Sequence, residues 1–544
     1  MTRNVKNKRV VIVTGGGAGI GGAIAEELSR RGDHVVTVDP LVAVDGTSTP
    51  IDKTPTTAER ILNAGGSAET SNASVTDEDA ISSLVQDLLT RHGRIDAVVN
   101  AAGISRPTGF AKGDETDWSA VIEVHLQGYV NVLLAVMPHF AEVGAGHVVG
   151  VTSGSGWRTA DAGAYGCAKR AVAALTWKLG NHAPVGVHVN AISPIAMTRM
   201  VTSALKRTAA VEPKDGARVS GGLALGALPP PEHLGPLGAA MAGHTTTPRG
   251  RILFAGGSEI AVLHEPRLME IIRTSDVRQV DSLVSSFLPT LVSAEKQQTT
   301  TGGANPRFSD IFDSISSTSE IPQGANVLVV SDQPQLAKIL KDRITSHDSR
   351  VLIVSPNDVG PGFTSAQNLL RDAFDGATLD VVIVAVSGSG TSDTNTSWKS
   401  LLDAHTKLGP EIIADARWAR ACADYAAERK APLRLVNLID ASNQRGATRA
   451  QTSSQLFRAA RGATSDRVSA FTIAIEDPSN LETAVSLALS CAFNLNVTEL
   501  SGAELAVGKG WLGLRSHPSP TGSLVFGGPE LPLWFGDVME EMCQ

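Results

Sequence analysis

Short apolar runs alternate along the first part of the chain with longer segments whose apolar residues recur every three or four positions. The short runs predict strands buried on both faces, and the longer segments predict helices that pack against them. The predicted strands are Arg9–Val13, His34–Val38, a faint one near Ala68–Ala73, Arg94–Asn100 and His147–Thr152. The predicted helices are Ala23–Gly32, Thr57–Ala64, Ile81–Leu89, Trp118–Met137 and the alanine-rich segment Ala164–Ala174. Strands that alternate with helices predict an α/β fold with a parallel sheet.

The same rhythm begins again in the second half. Apolar runs at Ala325–Asp332, Arg350–Pro356 and Leu379–Ser387 predict three more strands of a parallel sheet. Trp118 with His125 seven positions later is echoed by Trp398 with His405. This internal similarity favours a tandem duplication.

A stretch without periodicity separates the two halves. It is rich in Gln, Thr and Gly and predicts an interdomain linker. We therefore expect a first domain over residues 1–290, a linker over 291–323 and a second domain over 324–544.

Composition narrows the function. The chain has 544 residues, 42% of them apolar and 19% charged, which is the balance of a soluble α/β protein with more than one core. A net charge of −8 without clustered Lys and Arg argues against nucleic-acid binding. The chain start lacks a signal peptide's pattern, and no apolar run approaches the length of a membrane span. Four scattered cysteines predict a cytoplasmic protein without a structural metal.

A glycine-rich turn follows the first predicted strand and opens the first helix. Glycines let the backbone approach a pyrophosphate, and the free N–H groups of the helix start attract it. The next strand ends at Asp39, about where a carboxylate binds the adenosine ribose and repels a 2′-phosphate, so NAD is favoured over NADP. Structural glycines and a turn-forming aspartate are the alternative interpretation. The candidate loop residues are Thr14, Gly15, Gly17, Gly19, Ile20 and Gly21.

Ser153, Tyr165 and Lys169 are the candidate catalytic group. Ser153 follows a predicted strand, and Tyr165 and Lys169 lie four positions apart on one helix face. A fixed ammonium beside a phenol can lower its pKa and make it a general acid and base, while the serine hydroxyl holds a substrate oxygen. Chance spacing of an exposed Tyr and Lys is the alternative.

These motifs resemble the short-chain dehydrogenase/reductase family, whose order and spacing they share. The matching stretches are Thr14–Gly21, Asn100–Gly103, Ser153, Tyr165 to Lys169 and Val189–Pro194. The resemblance implies a Rossmann-type doubly wound sheet and hydride transfer with nicotinamide. It implies that Tyr165 exchanges the substrate proton, that Ser153 binds the substrate oxygen, and that Lys169 binds the ribose and lowers the tyrosine pKa. It also implies cofactor contacts from Ser74, Val75, Asn100, Ala101, Gly103, Tyr165, Lys169, Pro194 and Thr198.

A narrower resemblance is to the (3R)-hydroxyacyl-CoA dehydrogenase units of peroxisomal type 2 multifunctional enzymes, also called 17β-hydroxysteroid dehydrogenase type 4. It covers residues 1 to about 275 and includes Val124–Gly128 and Gly250–Leu268. His125 stands where many family members have a catalytic Asn, so it is a fourth catalytic candidate; a core histidine is the alternative. Residues from Met197 to Leu228 lie where the family has a substrate lid.

The second half lacks the chemistry of the first. Its counterpart of the glycine turn contains Pro334, and the segment Gln451–Gln455 replaces the Tyr and Lys. We expect a degenerate Rossmann-like pseudo-domain that pairs with the first domain within one chain. A homodimer of whole chains is left open. An unrelated nucleotide-binding domain is the alternative.

The leading functional hypothesis is an NAD-dependent oxidoreductase that interconverts a secondary alcohol and a ketone of a small-molecule substrate. The substrate class is a 3-hydroxyacyl-CoA or a bulky alicyclic or steroid alcohol. The rivals are an NADPH-dependent 3-oxoacyl ketoreductase, which Asp39 disfavours, and a non-enzymatic cofactor-binding scaffold, which the intact Ser153, Tyr165 and Lys169 disfavour.

Overall fold

Two parallel-dominated sheets with helices on both faces form the core of the protein, as the sequence predicted. The structure is a computed structural model that describes residues 8–48, 54–203, 228–273, 280–296, 324–345, 348–388, 397–526 and 530–543.

The strands, in chain order, are β1 (Val10–Thr14), β2 (His34–Val38), β3 (Ser67–Ser71), β4 (Ala97–Asn100), β5 (Gly146–Val151), β6 (Val187–Ile195), β7 (Ile252–Gly256), β8 (Glu259–His264), β9 (Leu268–Arg273), β10 (Asn326–Ser331), β11 (Arg350–Val354), β12 (Val381–Ala385), β13 (Leu433–Asp440), β14 (Val468–Ile475), β15 (Glu504–Gly508), β16 (Trp511–Arg515) and β17 (Ser519–Val525).

The helices are α1 (Gly19–Arg30), α2 (Thr57–Asn63), α3 (Glu78–His92), α4 (Glu115–Ile122), α5 (Gly128–Val143), α6 (Gly163–His182), α7 (Gly235–Met241), α8 (Val280–Val284), α9 (Phe287–Lys296), α10 (Pro334–Thr345), α11 (Phe363–Asp372), α12 (Trp398–His405), α13 (Leu408–Arg429), α14 (Gln444–Phe457), α15 (Ala460–Thr464), α16 (Leu481–Phe493) and α17 (Phe535–Cys543).

The first sheet carries the predicted nucleotide motifs. Among the described residues its strand order is β17-β8-β7-β6-β5-β4-β1-β2-β3, and the strands from β3 to β7 are parallel. All five residues of β1 and of β2 are buried, which explains their continuous apolar runs. The chain reverses its direction of winding between β1 and β4, where ligands of doubly wound sheets bind at the carboxyl ends of the strands.

The second sheet repeats this plan with one parallel strand fewer. Within the described residues its order is β11-β10-β12-β13-β14-β15-β16-β9. The strands β10 to β15 are parallel, and β16 runs antiparallel to β15 as β8 runs antiparallel to β7. The internal repeat seen in the sequence therefore corresponds to a repeated architecture.

The two sheets exchange their last strands. Strand β9 leaves the first unit and pairs with β16, while β17 returns from the second unit and pairs with β8. The helices that follow are exchanged too, because α8 and α9 pack in the second core and α17 packs in the first. The expected domain boundaries at residues 290 and 323 are therefore wrong for these segments, because one edge strand of each sheet comes from the other half of the chain. Leu291 and Val292 lie in a helix and are buried rather than in a linker, and 297–323 lie outside the described residues.

Helices of the two halves also pack directly against each other. Helix α14 of the second unit lies along α6 of the first, and α13 contacts α4. The Phe110 ring meets Phe457 edge to face at a centroid distance of 6.2 Å. The Arg170 guanidinium is fully buried and pairs with Glu504 across this boundary. Apolar burial and one buried ion pair thus join the two units.

The helical stretch Glu115–Val143 has 29 residues and contradicts the expectation that no apolar segment approaches the length of a membrane span. By length and composition alone it could cross a membrane. However, 67% of its most apolar window is buried inside the protein, as in the core helix of a folded domain.

Candidate active site

The glycine turn brings backbone close to backbone at the start of α1. Gly15 has a φ of +63°, and a Cβ there would lie 2.7 Å from the carbonyl carbon of Ala101. A Cβ on Gly21 would overlap the Gly15 carbonyl. Helix α1 begins at Gly19 behind Ala18, which has no capping side chain, so its first N–H groups are available to an anion.

Asp39 is fixed beside this turn. One carboxylate oxygen accepts from Gly17 N at 3.0 Å and the other from Leu41 N at 2.8 Å. A Cβ on Gly17 would lie 2.6 Å from the Asp39 carboxylate. The negative charge therefore stands at the turn itself, where a ribose lies in dinucleotide-binding sheets.

The end of β4 adds an unsatisfied polar group. Thr14 Oγ1 donates to Asn100 Oδ1 at 2.6 Å, and Ala101 N donates to Thr14 O at 3.1 Å. Asn100 Nδ2 is buried and has no hydrogen-bond partner among the described residues. Together with a glycine cradle that any Cβ would fill, this unused donor fits a bound dinucleotide.

The remaining cofactor candidates line the same edge of the sheet. Val75 is buried, and its carbonyl accepts from Asn131 Nδ2 at 3.0 Å; Ser74 hydrogen-bonds the side chain of Thr76 at 2.8 Å. Pro194 lies near the end of β6. Thr198 lines a cavity of about 480 Å³. The lid segment predicted to start at Met197 is described only to residue 203 and from residue 228.

Ser153, Tyr165 and Lys169 come together where β5 ends and α6 begins. Ser153 Oγ accepts from Ser155 N at 3.2 Å in a short 3₁₀ turn and also hydrogen-bonds Tyr165. Lys169 Nζ lies 5.7 Å from the centre of the Tyr165 ring and donates to Val151 O at 2.6 Å. The predicted group therefore shares one site.

Burial dominates the electrostatics of this group. It raises the pKa of Tyr165, against which the Ser153 hydrogen bond acts in the opposite direction. Burial also lowers the pKa of Lys169 to about 7. The expected lowering of the tyrosine pKa by Lys169 is thus not what the structure gives, because the lysine ammonium points to the Val151 carbonyl and both side chains are desolvated.

His125 lies in a π-helical turn, Glu123–Gln127, between α4 and α5. Its Nε2 is 2.7 Å from Ile104 O, and its ring meets Tyr165 edge to face at 5.0 Å. Burial, followed by the charge of Lys169, lowers its pKa to about 3, so the ring is neutral. Its Nδ1 has no partner among the described residues. Turns of this kind often occur at functional sites.

One contributor to the site escaped the sequence analysis because it comes from the second unit. Gln455 Nε2 donates to Ser155 O at 3.0 Å and to Arg158 O at 2.7 Å, in the turn that follows Ser153. The only signal in the sequence was its place in the segment Gln451–Gln455, which occupies the position that corresponds to Tyr165 and Lys169 of the first unit.

The corresponding positions of the second unit have structural partners. Pro334 is the first residue of α10 and stands where the glycine turn would be. Asp440 accepts from Ser442 N at 3.0 Å, and Gln451 Oε1 accepts from Arg170 Nε at 3.2 Å. These residues shape turns and the boundary with the first unit.

The sequence is similar to known proteins mainly in its first half. The family model for short chain dehydrogenases matches residues 9–209. A short-chain type dehydrogenase/reductase of Mycobacterium tuberculosis is 37% identical over 199 residues, which are 36% of this chain and 70% of that protein. Peroxisomal multifunctional enzyme A of Dictyostelium discoideum is 33% identical over 207 residues, 38% of this chain and 46% of the enzyme.

Among solved structures, the NADP-bound N-domain of bacterial malonyl-CoA reductase matches both units. It covers 90% of this chain and 96% of that domain at 15% identity, with a TM-score of 0.59, which is a likeness of fold. The 37% identity to the mycobacterial protein, over 70% of the length of that protein, is sufficient to assign the family. The chain is a member of the short-chain dehydrogenase/reductase family.

Proposed function

We propose that the protein is an NAD-dependent dehydrogenase that interconverts a secondary alcohol and a ketone. The observation that carries the proposal is the meeting of Ser153, Tyr165 and Lys169 at the end of β5, on the same edge of the sheet as the glycine turn. A 3-hydroxyacyl-CoA, or a bulky alicyclic or steroid alcohol, is the proposed substrate class. The likeness to a peroxisomal multifunctional enzyme and to a peroxisomal hydratase-dehydrogenase-epimerase, over 38% and 55% of this chain, supports the acyl-CoA choice.

In this proposal the side chains divide the work on the substrate oxygen. Ser153 donates a hydrogen bond to that oxygen, and Tyr165 takes its proton during oxidation and returns it during reduction. Bound nicotinamide supplies the hydride acceptor or donor. Lys169, whose pKa is lowered to about 7 by burial, binds the nicotinamide ribose beside the tyrosine.

The preference for NAD rests on Asp39. Its carboxylate is held by two backbone N–H groups and cannot turn away from the ribose position without losing both. A 2′-phosphate would meet a fixed like charge there.

A second candidate is an NADPH-dependent reductase of a 3-oxoacyl thioester. The specific observation in its favour is that the NADP-bound domain of malonyl-CoA reductase shares the fold over 90% of this chain. Asp39 weighs against it, and the ratio of kcat/KM for the two cofactors distinguishes the candidates.

The test is a panel of 3-hydroxyacyl-CoA, alicyclic and steroid alcohols assayed by NADH absorbance with the full-length protein. We expect turnover with NAD for one class and none in Tyr165→Phe, which keeps nucleotide binding because Lys169 and the glycine turn are unchanged. Activity of Tyr165→Phe within tenfold of the wild type would contradict the proton-transfer role. Higher kcat/KM with NADPH would favour the second candidate.

A further inference from the structure

His34, Glu69 and His92 form a cluster at the edge of the first sheet, remote from the nucleotide motifs. His34 is the first residue of β2, Glu69 lies in the edge strand β3, and His92 ends α3. Asp39 follows the opposite, carboxyl end of β2. The cluster therefore belongs to the amino ends of the strands, where the proposed dehydrogenase site has no part.

The three side chains place their possible ligand atoms close together. His34 Nε2 lies 3.4 Å and His92 Nε2 lies 3.3 Å from Glu69 Oε1, and all three atoms are within 4.8 Å of one another. Tetrahedral ligands at about 2.0–2.1 Å from Zn²⁺ are separated by about 3.3 Å. Charge-assisted N–H···O bonds are shorter, about 2.7–2.9 Å. The two nitrogen–oxygen separations therefore fit ligands that share a cation, although the one from His92 is also within hydrogen-bond distance.

The His34 side chain is buried and has one ring nitrogen without a hydrogen bond among the described residues. The residue is only 5% exposed, and its Nε2 makes no hydrogen bond of normal geometry to any residue that the structure describes. Its other nitrogen, Nδ1, lies 2.8 Å from Ser67 Oγ. A donor bond from Nδ1–H to that hydroxyl leaves the lone pair on Nε2, aimed at Glu69, which is how proteins orient a metal-binding imidazole.

Glu69 is held in the same manner. Arg91 donates to Glu69 Oε2 at 2.8 Å, which leaves Oε1 facing the two histidines. The Glu69 side chain is 29% exposed, which is enough for water to reach the cluster.

Arg91 is a nearby cation whose charge opposes a metal ion. Its guanidinium also approaches Glu69 Oε1 and His92 Nε2, each at 3.2 Å. A metal ion requires these two long contacts to break. The shorter bonds from Arg91 to Glu69 Oε2 and to Asp87, both 2.8 Å, survive, and the side chain is 41% exposed and free to adjust.

We propose that His34 Nε2, Glu69 Oε1 and His92 Nε2 bind a divalent transition-metal ion of the zinc class, with water as the fourth ligand. The ion joins the edge strand β3 and the end of α3 to β2. This differs from the sequence expectation of no metal, which rested on the cysteines. Histidines far apart in the chain, on different elements, gave no sequence signal.

The test uses the full-length protein, freed of metal with a chelator and titrated with ZnCl₂ by calorimetry near pH 7.5. The variants are His34→Asn, whose amide can keep the Ser67 contact but does not reach the position of Nε2, and Glu69→Gln, at a partly exposed site that tolerates the change. His182→Asn is the matched control, because His182 is exposed and outside the cluster. Substitution with Co²⁺ adds a spectroscopic readout of tetrahedral geometry.

We expect one Zn²⁺ per chain with a Kd below about 10 μM, at least a tenfold loss in both variants, and a change of less than about twofold in the control. Zinc should also raise the melting temperature of the wild type and not of Glu69→Gln. A Kd above about 10 μM, or unchanged binding in Glu69→Gln, would overturn the site. The cluster would then be a hydrogen-bonded network only.

Discussion

Lys169→Met should make the protein more stable while it abolishes turnover. Lys169 is 4% exposed, and burial lowers its pKa from the ordinary 10.5 to about 7. Each pH unit of this change corresponds to about 1.4 kcal/mol, so a charged ammonium at this position costs about 5 kcal/mol of folding free energy. Methionine has a similar length and no charge to desolvate.

The net gain is smaller because one hydrogen bond is lost. Lys169 Nζ donates to Val151 O at 2.6 Å, and removing a donor from a buried carbonyl costs about 1–3 kcal/mol. We therefore expect Lys169→Met to raise the free energy of unfolding by about 2–4 kcal/mol near neutral pH. The group that serves the proposed catalysis is thus predicted to lower stability.

The assay is urea unfolding without cofactor at pH 6.5 and 9.5. Below pH 7 the lysine is protonated in both the folded and the unfolded chain, so the full penalty applies to the wild type. As pH rises from 7 toward 10.5, the folded chain loses the proton first and the penalty disappears. The stability difference between variant and wild type should therefore narrow by about 3 kcal/mol between the two pH values.

Lys178→Met on the same helix is the matched control. Lys178 is partly exposed and pairs with Glu265 at 2.9 Å, an interaction worth about 0–1 kcal/mol. A Lys169→Met variant less stable than the wild type at pH 6.5, or a stability difference that does not change with pH, would refute the reasoning.

Four further outcomes are expected. Asp39→Ala should shift the kcat/KM ratio toward NADP by about tenfold or more, since a like charge is removed; an unchanged ratio would place the discriminating group elsewhere. Gln455→Leu should lower kcat/KM about tenfold with nucleotide affinity nearly constant, because the turn after Ser153 loses two hydrogen bonds from the Gln455 amide. An equal loss of kcat/KM and of nucleotide affinity would indicate general damage to the fold instead. Glu504→Gln should lower the free energy of unfolding by about 3 kcal/mol, since it leaves the buried charge of Arg170 without its carboxylate partner, and an unchanged urea midpoint would contradict this. Calorimetry should count one NAD per chain, because the second unit lacks the glycine turn; two equivalent sites would refute the interpretation.

Local chemistry in the first unit was readable from the sequence. The glycine turn, Asp39 and the Tyr165–Lys169 pair lie close together in the chain or at strand ends, so their spacing alone places them on one edge of a parallel sheet. The burial that controls the pKa of Lys169 was not readable, since the side chain is enclosed by elements that the sequence does not order in space.

The exchange of β9 and β17 could not be predicted from the sequence either. Leu268–Arg273 has the apolar pattern of an edge strand, and nothing in it distinguishes a neighbour in its own half from one in the other. The contribution of Gln455 escaped for the same reason: its partners lie in the other half of the chain, and only packing brings them together.

The strand exchange also sets an order of events during synthesis. Strand β8 has no edge partner until β17 has been made, and at 5–20 residues per second the ribosome needs roughly 10–50 s to travel from one to the other. For that interval the nascent first unit presents an open apolar edge, the kind of surface on which unfinished chains aggregate. The first unit is therefore completed only after β17 has been translated, and chaperones that cover such edges have that interval in which to act on this chain.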